Sequence, residues 1–230
     1  MTQCTSVFDE TAADFASKVD RQIDSGRYRR GDLFLAGIES SVPSNGYILD
    51  YGCGPGRIAA HIARRGFGVL GLDPSPGMIE LAKRQNLDGL RVEFRNSKTF
   101  PVDMQQGTFD AIVCSSVIEY EAEPEQLLGR FSSALHSSGK LIISFANSRS
   151  LSRMFFHYRN LHLTAQRQLW TWSQFRLLLE RTGFSPIQGA TYFDSFFDRF
   201  PPLSFLSKSS FVGGLGLVIA VKSRSTPRLV

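Results

Sequence analysis

Three glycines at alternate positions, Gly52, Gly54 and Gly56, constrain this chain more than any other feature. They follow a short apolar run, Tyr47, Ile48 and Leu49, that ends in an acid, Asp50. After them, I-A-A-H-I-A-R-R repeats apolar residues at helical spacing. The pattern reads as strand, glycine turn, helix. Glycines suit such a turn because a ligand can lie against bare backbone where a Cβ would collide. A tight turn without a ligand is the alternative, and the next acid and several later segments argue against it.

From Tyr47 onward strand-like and helix-like runs alternate, which signals a parallel sheet with helices on both faces. Further strands are predicted over 68–72, ending at Asp73, then over 90–94, 109–115 and 140–145. Ser75 is a natural N-cap, with Pro76 as the first helical residue. A helix is predicted over 124–136, with Leu127, Leu128, Phe131 and Leu135 as its buried stripe. Beyond Asn147 the alternation breaks. A helix over 173–181 closes at Gly183, and two strand-like runs, 187–193 and 212–221, predict an antiparallel closing hairpin. Upstream, 11–19 and 28–38 carry helical periodicity.

With 230 residues, 42% of them hydrophobic, the chain can bury one substantial core. The net charge of +5 is unevenly spread: residues 148–230 hold eleven Lys/Arg against three Asp/Glu, and ten of the 19 Phe. Such a segment suits an anionic small molecule, an anionic membrane surface or nucleic acid. Cys4, Cys53 and Cys114 show no metal-ligand spacing, so no metal is expected. The amino terminus lacks a charged stretch followed by an apolar one, and no apolar run approaches the ~18–20 residues that span a bilayer. A cytoplasmic protein is expected.

Asp50, the glycine turn, Asp73, Asn96 and Cys114–Ser116 all fall at strand carboxyl ends, where an open parallel sheet binds ligands. An acid at the end of the second strand can accept both hydroxyls of a ribose. A dinucleotide would want Gly or Ala at the sixth position of the turn, where Arg57 stands, and Asp50 would repel its pyrophosphate. The same acid suits a cationic ammonium or sulfonium. Charge therefore favours S-adenosylmethionine as the adenosine ligand.

These segments resemble the motifs of the class I S-adenosylmethionine-dependent methyltransferases: I-L-D-Y-G-C-G-P-G, V-L-G-L-D-P-S-P-G-M-I-E-L-A-K, F-D-A-I-V-C-S-S-V-I-E-Y and G-K-L-I-I-S-F-A-N-S. The S-S-V-I-E-Y and S-F-A-N-S-R-S-L runs are most similar to the ubiquinone-biosynthesis O-methyltransferase branch. The resemblance implies an α/β, Rossmann-like, seven-stranded, mostly parallel sheet with a C-terminal antiparallel hairpin. It divides the chain into an N-terminal helical cap (1–46), a cofactor-binding core (47–147) and an acceptor-binding insertion with closing hairpin (148–230). It places Gly52, Gly54 and Gly56, with Asp50 and Cys53, against the methionine part and ribose. Asp73 would hold the ribose hydroxyls, and Pro74 and Met78 would flank the adenine. Asn96, where the family commonly has Asp, would accept from the adenine amino group, and Ser97 would offer its backbone N–H to a ring nitrogen. Cys114 and Ser115 would line the methionine chain, and Arg30 would reach its carboxylate.

Methyl transfer is an in-line displacement that rewards alignment and exclusion of water. A base is needed only if the nucleophile must lose a proton; the candidates are His157, His162, Glu119 and Tyr120. Tyr120 stands where the resembled branch usually has His. His61 and His136 fit helices away from the site. The Phe-rich run 193–211, with Arg153, Arg159 and Arg199, suggests an aromatic or lipid-like acceptor bearing an anionic group, with peripheral membrane contact as a further expectation. Transfer to oxygen is expected before nitrogen. A nucleic-acid methyltransferase and a non-catalytic cofactor-binding scaffold are the alternatives; F-P-P-L at 200–203 is not the N/D-P-P-Y/F tetrapeptide that base methylation often uses. Oligomeric state is not legible.

Overall fold

The computed structural model describes residues 12–14, 16–17, 20, 29–97, 100, 104–149, 168–192 and 215–223. Its elements in chain order are α1 (Arg29–Glu39), β1 (Tyr47–Tyr51), α2 (Arg57–Ala63), β2 (Gly68–Asp73), α3 (Pro76–Lys83) and β3 (Val92–Asn96). There follow β4 (Phe109–Cys114), a 3₁₀ turn (Ile118–Tyr120), α4 (Pro124–Ala134), β5 (Leu135–Ala146), α5 (Trp172–Arg181), β6 (Phe184–Tyr192) and β7 (Leu215–Lys222). Upstream of α1, the described residues 12–14, 16–17 and 20 are helical, with Ala12 and Ala16 buried.

The strands form one seven-stranded sheet in the order β3-β2-β1-β4-β5-β7-β6. β1 pairs in parallel with β2 and β4, β2 with β3, and β4 with β5. β7 runs antiparallel between β5 and β6. This is the α/β, Rossmann-like architecture expected. Strand order reverses between β1 and β4, which opens a crevice beyond their carboxyl ends. β2 is buried along its whole length because helices cover both faces. One face packs Phe131, Leu128, Phe175 and Leu179 from α4 and α5 over Ile112, Ile143 and Phe145. The other packs Phe34, Ile38, Ile58 and Ile79 from α1, α2 and α3 over Ile48, Val69 and Val113.

Local chemistry explains most boundaries. Ser75 Oγ accepts from the Met78 N–H at 3.1 Å, capping α3 with Pro76 in its first turn. Thr171 and Gln174 form a capping box on α5. Gly183, left-handed at φ 87°, follows its C-cap. Three expectations need correcting. β3 lies two residues later than predicted, because only Phe94 of this edge strand is buried and its pattern carries little apolar periodicity. α4 ends at Ala134: Leu135 is extended (φ −79°, ψ 145°) and begins β5 by pairing with Phe109, so His136 lies on a strand, not a helix. β6 begins at Phe184, upstream of the predicted run, because Phe184 is buried and paired with Lys222. Pro186 is tolerated there at an edge strand whose register shifts beside it.

Candidate active site

The glycine turn is fastened to the end of β2. The N–H groups of Gly52 and Cys53 both donate to the Leu72 carbonyl, at 2.8 and 2.9 Å, and that of Gly56 donates to Cys53 O at 3.0 Å. All three glycines are left-handed, at φ 72°, 53° and 75°, but their bare faces differ. A Cβ on Gly52 would stand 2.2 Å from Val117 Cγ2, and one on Gly56 2.7 Å from Phe94 Cζ; one on Gly54 would meet nothing within 4 Å. Gly54 alone faces open space, while Gly52 and Gly56 let the turn pack against the protein itself.

Asp73 is held by the same turn. Its Oδ2 accepts from Gly54 N–H at 2.8 Å and its Oδ1 from Ser75 N–H at 2.9 Å. Each carboxylate oxygen has more than one acceptor site, so a ribose diol can share an acid already fixed in position. Asn96 donates through Nδ2 to the Asp73 carbonyl at 3.0 Å, an orientation that leaves its amide oxygen as the group able to accept from an adenine. The same carbonyl takes the Ser97 N–H at 3.0 Å, so that N–H is committed to the protein and is not the adenine donor expected from the sequence. Met78 is buried and Pro74 half-buried at the head of α3. Arg30 is half-buried on the first turn of α1.

Asp50 is 1% exposed, and neither carboxylate oxygen makes a hydrogen bond of full geometry among the described residues, the Ala59 N–H of α2 reaching it only weakly. Burial, and then the charge of Asp73, push its pKa up to about 7, partly offset by the backbone N–H of Ala59. Ser115 Oγ and Ser116 Oγ, just past β4, are likewise buried and unpartnered. Ser116 is a non-glycine residue at φ 56°, and its N–H donates to the fully buried Ser144 Oγ at 2.8 Å. Ser116 falls at the strand end where the sequence places it, whereas Ser144, a lone polar residue in an apolar strand, carries no sequence signal. Cys53 and Cys114 are buried and their thiols pushed well up by that burial, so neither supplies a thiolate.

Glu119 and Tyr120 lie in the 3₁₀ turn. Glu119 is buried, its carbonyl accepting from Gln168 N–H at 2.8 Å, and Gln168 Nε2 donates to the Glu121 carbonyl at 2.8 Å. Tyr51 Oη donates to Glu121 Oε1 at 3.2 Å. Trp170 N–H donates to Ala146 O at 3.1 Å. His157, His162, Arg153, Arg159, Arg199 and the Phe-rich run lie outside the described residues.

A buried acid and two hydroxyls without partners among the described residues, gathered at a strand-order reversal beside an oriented second acid, suit a polar, cationic nucleoside. A family model described as a methyltransferase domain matches residues 19–188. The chain belongs to that methyltransferase family. S-adenosylmethionine is its cofactor, and the residues present suit it: a buried acid at Asp50, open space at Gly54 and a carboxylate fixed in position at Asp73. The methyltransferase is 31% identical over 107 residues to the ubiquinone biosynthesis O-methyltransferase of Xanthomonas axonopodis pv. citri (strain 306), covering 46% of this chain and 45% of that protein. It is 31% identical over 113 residues to the enzyme of the same name from Xylella fastidiosa (strain 9a5c), covering 48% and 46%. The chain thus spans about half the length of these curated relatives. Among solved structures, the magnesium protoporphyrin IX methyltransferase ChlM of Synechocystis PCC 6803, with bound SAH, superposes with a TM-score of 0.70. The two are 20% identical and the match covers 96% of this chain and 99% of that one, which establishes a shared fold. No helix among the described residues is long and apolar enough to cross a membrane.

Proposed function

We propose that this methyltransferase transfers a methyl group to a hydroxyl oxygen of a small acceptor, aromatic or lipid-like and bearing an anionic group. The observation that carries the reading is the set of buried polar atoms at the β1–β4 crevice that make no full hydrogen bond among the described residues, Asp50 Oδ1 and Oδ2, Ser115 Oγ and Ser116 Oγ. Their number and sign suit the amino-acid end of the cofactor. Oxygen is favoured as the acceptor atom by the names of the aligned Xanthomonas and Xylella relatives.

When bound, S-adenosylmethionine supplies a methyl group on a positively charged sulfur. The chain's own contribution is position and environment. Asp73 and Gly54, joined by one hydrogen bond, set the ribose end. Asp50, with Arg30 as the partner we assign to the carboxylate, sets the other. Asn96, Pro74 and Met78 frame the adenine. The turn carrying Glu119 and Tyr120, pinned by Gln168, closes the acceptor side and keeps water from the line of displacement. We assign acceptor binding to residues 148–230 and retain Glu119, Tyr120, His157 and His162 as candidates for taking the acceptor proton.

The test is incubation with S-adenosyl-[methyl-³H]methionine and a panel of catechols, phenols, amines and transfer RNA, followed by extraction. Label in the phenolic fraction is the expected result. Label confined to the amines or to the RNA would overturn the acceptor assignment. No label anywhere, with tight cofactor binding, would point to the scaffold reading.

A further inference from the structure

A second set of orphaned polar atoms lies away from the cofactor cradle. Thr191 on β6 is 4% exposed, and its Oγ1 is buried without a partner. The indole Nε1 of Trp172, at the head of α5, is also buried and unpartnered. Both residues stand on one face of the sheet. The six-membered ring of Trp172 lies over Gly189, where a Cβ would stand 2.6 Å from its Cζ3, and Gly189 precedes Thr191 by two residues on the same strand. Thr191 is paired with Gly216, whose bare face receives the ring of Phe145, a Cβ there standing 2.3 Å from Cε1. Phe145 meets Trp172 edge-on at 5.1 Å and stacks on Phe175 at 4.2 Å.

Two glycines thus make room for two rings, and on the same face lie two buried polar groups with no partner among the described residues. A buried donor or hydroxyl left unmade costs about 1–3 kcal/mol, and an aromatic core has no structural use for it. Phe145 stands near the carboxyl end of β5, the strand beside β4, so the patch lies at the same sheet edge as the crevice. Trp170 and Trp172 are half-buried and Leu169 is exposed, which puts the rim of the patch at the surface.

We propose that this patch is a recognition subsite for the acceptor: it takes a planar ring whose oxygen substituent, a carboxylate, carbonyl or phenolic oxygen, accepts from Trp172 Nε1–H and Thr191 Oγ1–H. The inference rests on the small-molecule acceptor reading above and names the two groups that select for it.

The chain has two tryptophans, Trp170 and Trp172, so its intrinsic indole emission reports on this patch alone. The wild type, Thr191→Val, Thr191→Ser and Trp172→Phe are titrated with 4-hydroxybenzoate, 3,4-dihydroxybenzoate and 1,4-naphthoquinone in the presence of S-adenosylhomocysteine. At least one ring should change the wild-type emission. Its Kd should weaken about five- to tenfold in Thr191→Val, as one lost hydrogen bond predicts, and recover in Thr191→Ser. Trp172→Phe should weaken the Kd read by competition calorimetry. S-adenosylhomocysteine affinity should be unchanged throughout, and Thr191→Val should melt no lower than wild type, since its hydroxyl has no partner to lose. No emission change with any ring, an equal Kd in wild type and Thr191→Val, or a lower melting temperature for Thr191→Val would each overturn the proposal. Failure here alongside labelled phenol in the transfer assay would leave the function standing and remove only the subsite.

Discussion

Asp50 offers the sharpest test of how the cradle works. In the native protein its carboxyl is pushed up to about 7, while in the unfolded chain it returns to its ordinary 3.8. Between those values the native state holds the proton and the unfolded state gives it up. Stability must therefore fall as pH rises through that window, by about 1.4 kcal/mol per pH unit, and level off above pH 7. Asp50→Asn keeps the shape and removes the ionisation. Between pH 5 and pH 8, without cofactor, the wild type should lose about 3 kcal/mol relative to Asp50→Asn. Urea unfolding of both proteins at several pH values measures this directly. Cofactor binding reverses the balance, because a cationic ligand favours ionised Asp50. Below pH 7, calorimetry in buffers of different ionisation enthalpy should show protons released on adding S-adenosylmethionine, and Asp50→Asn should bind it more weakly and release none. A stability difference that stays flat from pH 5 to pH 8 would refute the reasoning, since it would mean that the buried carboxyl titrates alike in both states.

The three glycines should separate by phenotype. Gly52→Ala and Gly56→Ala should lower the melting temperature sharply, through contacts of 2.2 Å with Val117 and 2.7 Å with Phe94. Gly54→Ala should melt within about 1–2 kcal/mol of wild type, the cost of a left-handed alanine, yet lose cofactor affinity in calorimetry. Asp73→Ala should weaken S-adenosylmethionine binding at least about tenfold, since the ribose and the Gly54 N–H lose the same acceptor; undiminished heat on titration would count against the cradle. Thr171→Ala removes one half of the α5 capping box and should cost about 1 kcal/mol in urea unfolding, leaving cofactor affinity unchanged.

The glycine turn and the acids of β1 and β2 were legible because their signals are local. Alternating glycines after an apolar run, and an acid closing the next strand, are consequences of backbone shape and charge that no distant residue has to supply. What was not legible depended on who packs against whom. Sequence alone cannot say that Val117 fills the space beside Gly52, or that Ser97 donates to Asp73 and is thereby withdrawn from the adenine. Ser144 looks like a small polar residue in an apolar strand until the structure shows it receiving the Ser116 N–H. The boundary errors have the same origin. The exposed edge strand β3 lacks the alternation that marks a half-buried one, and S-S-G after Leu135 has the composition of a turn while the strand carries it as a bulge between the paired residues Leu135 and Lys140.

The doubly used carbonyls at the end of β2 have a consequence for how such a protein can change. Leu72 O anchors two amides of the glycine turn, and Asp73 O anchors Asn96 and Ser97. The nucleoside seat is thereby welded to the middle of the sheet and is shaped before any ligand arrives. Gln168 and Trp170, by contrast, are joined to the turn after β4 and to the end of β5. On the assignment of acceptor binding proposed above, a new recipient can be met by changes after β5 while the seat stays as it was.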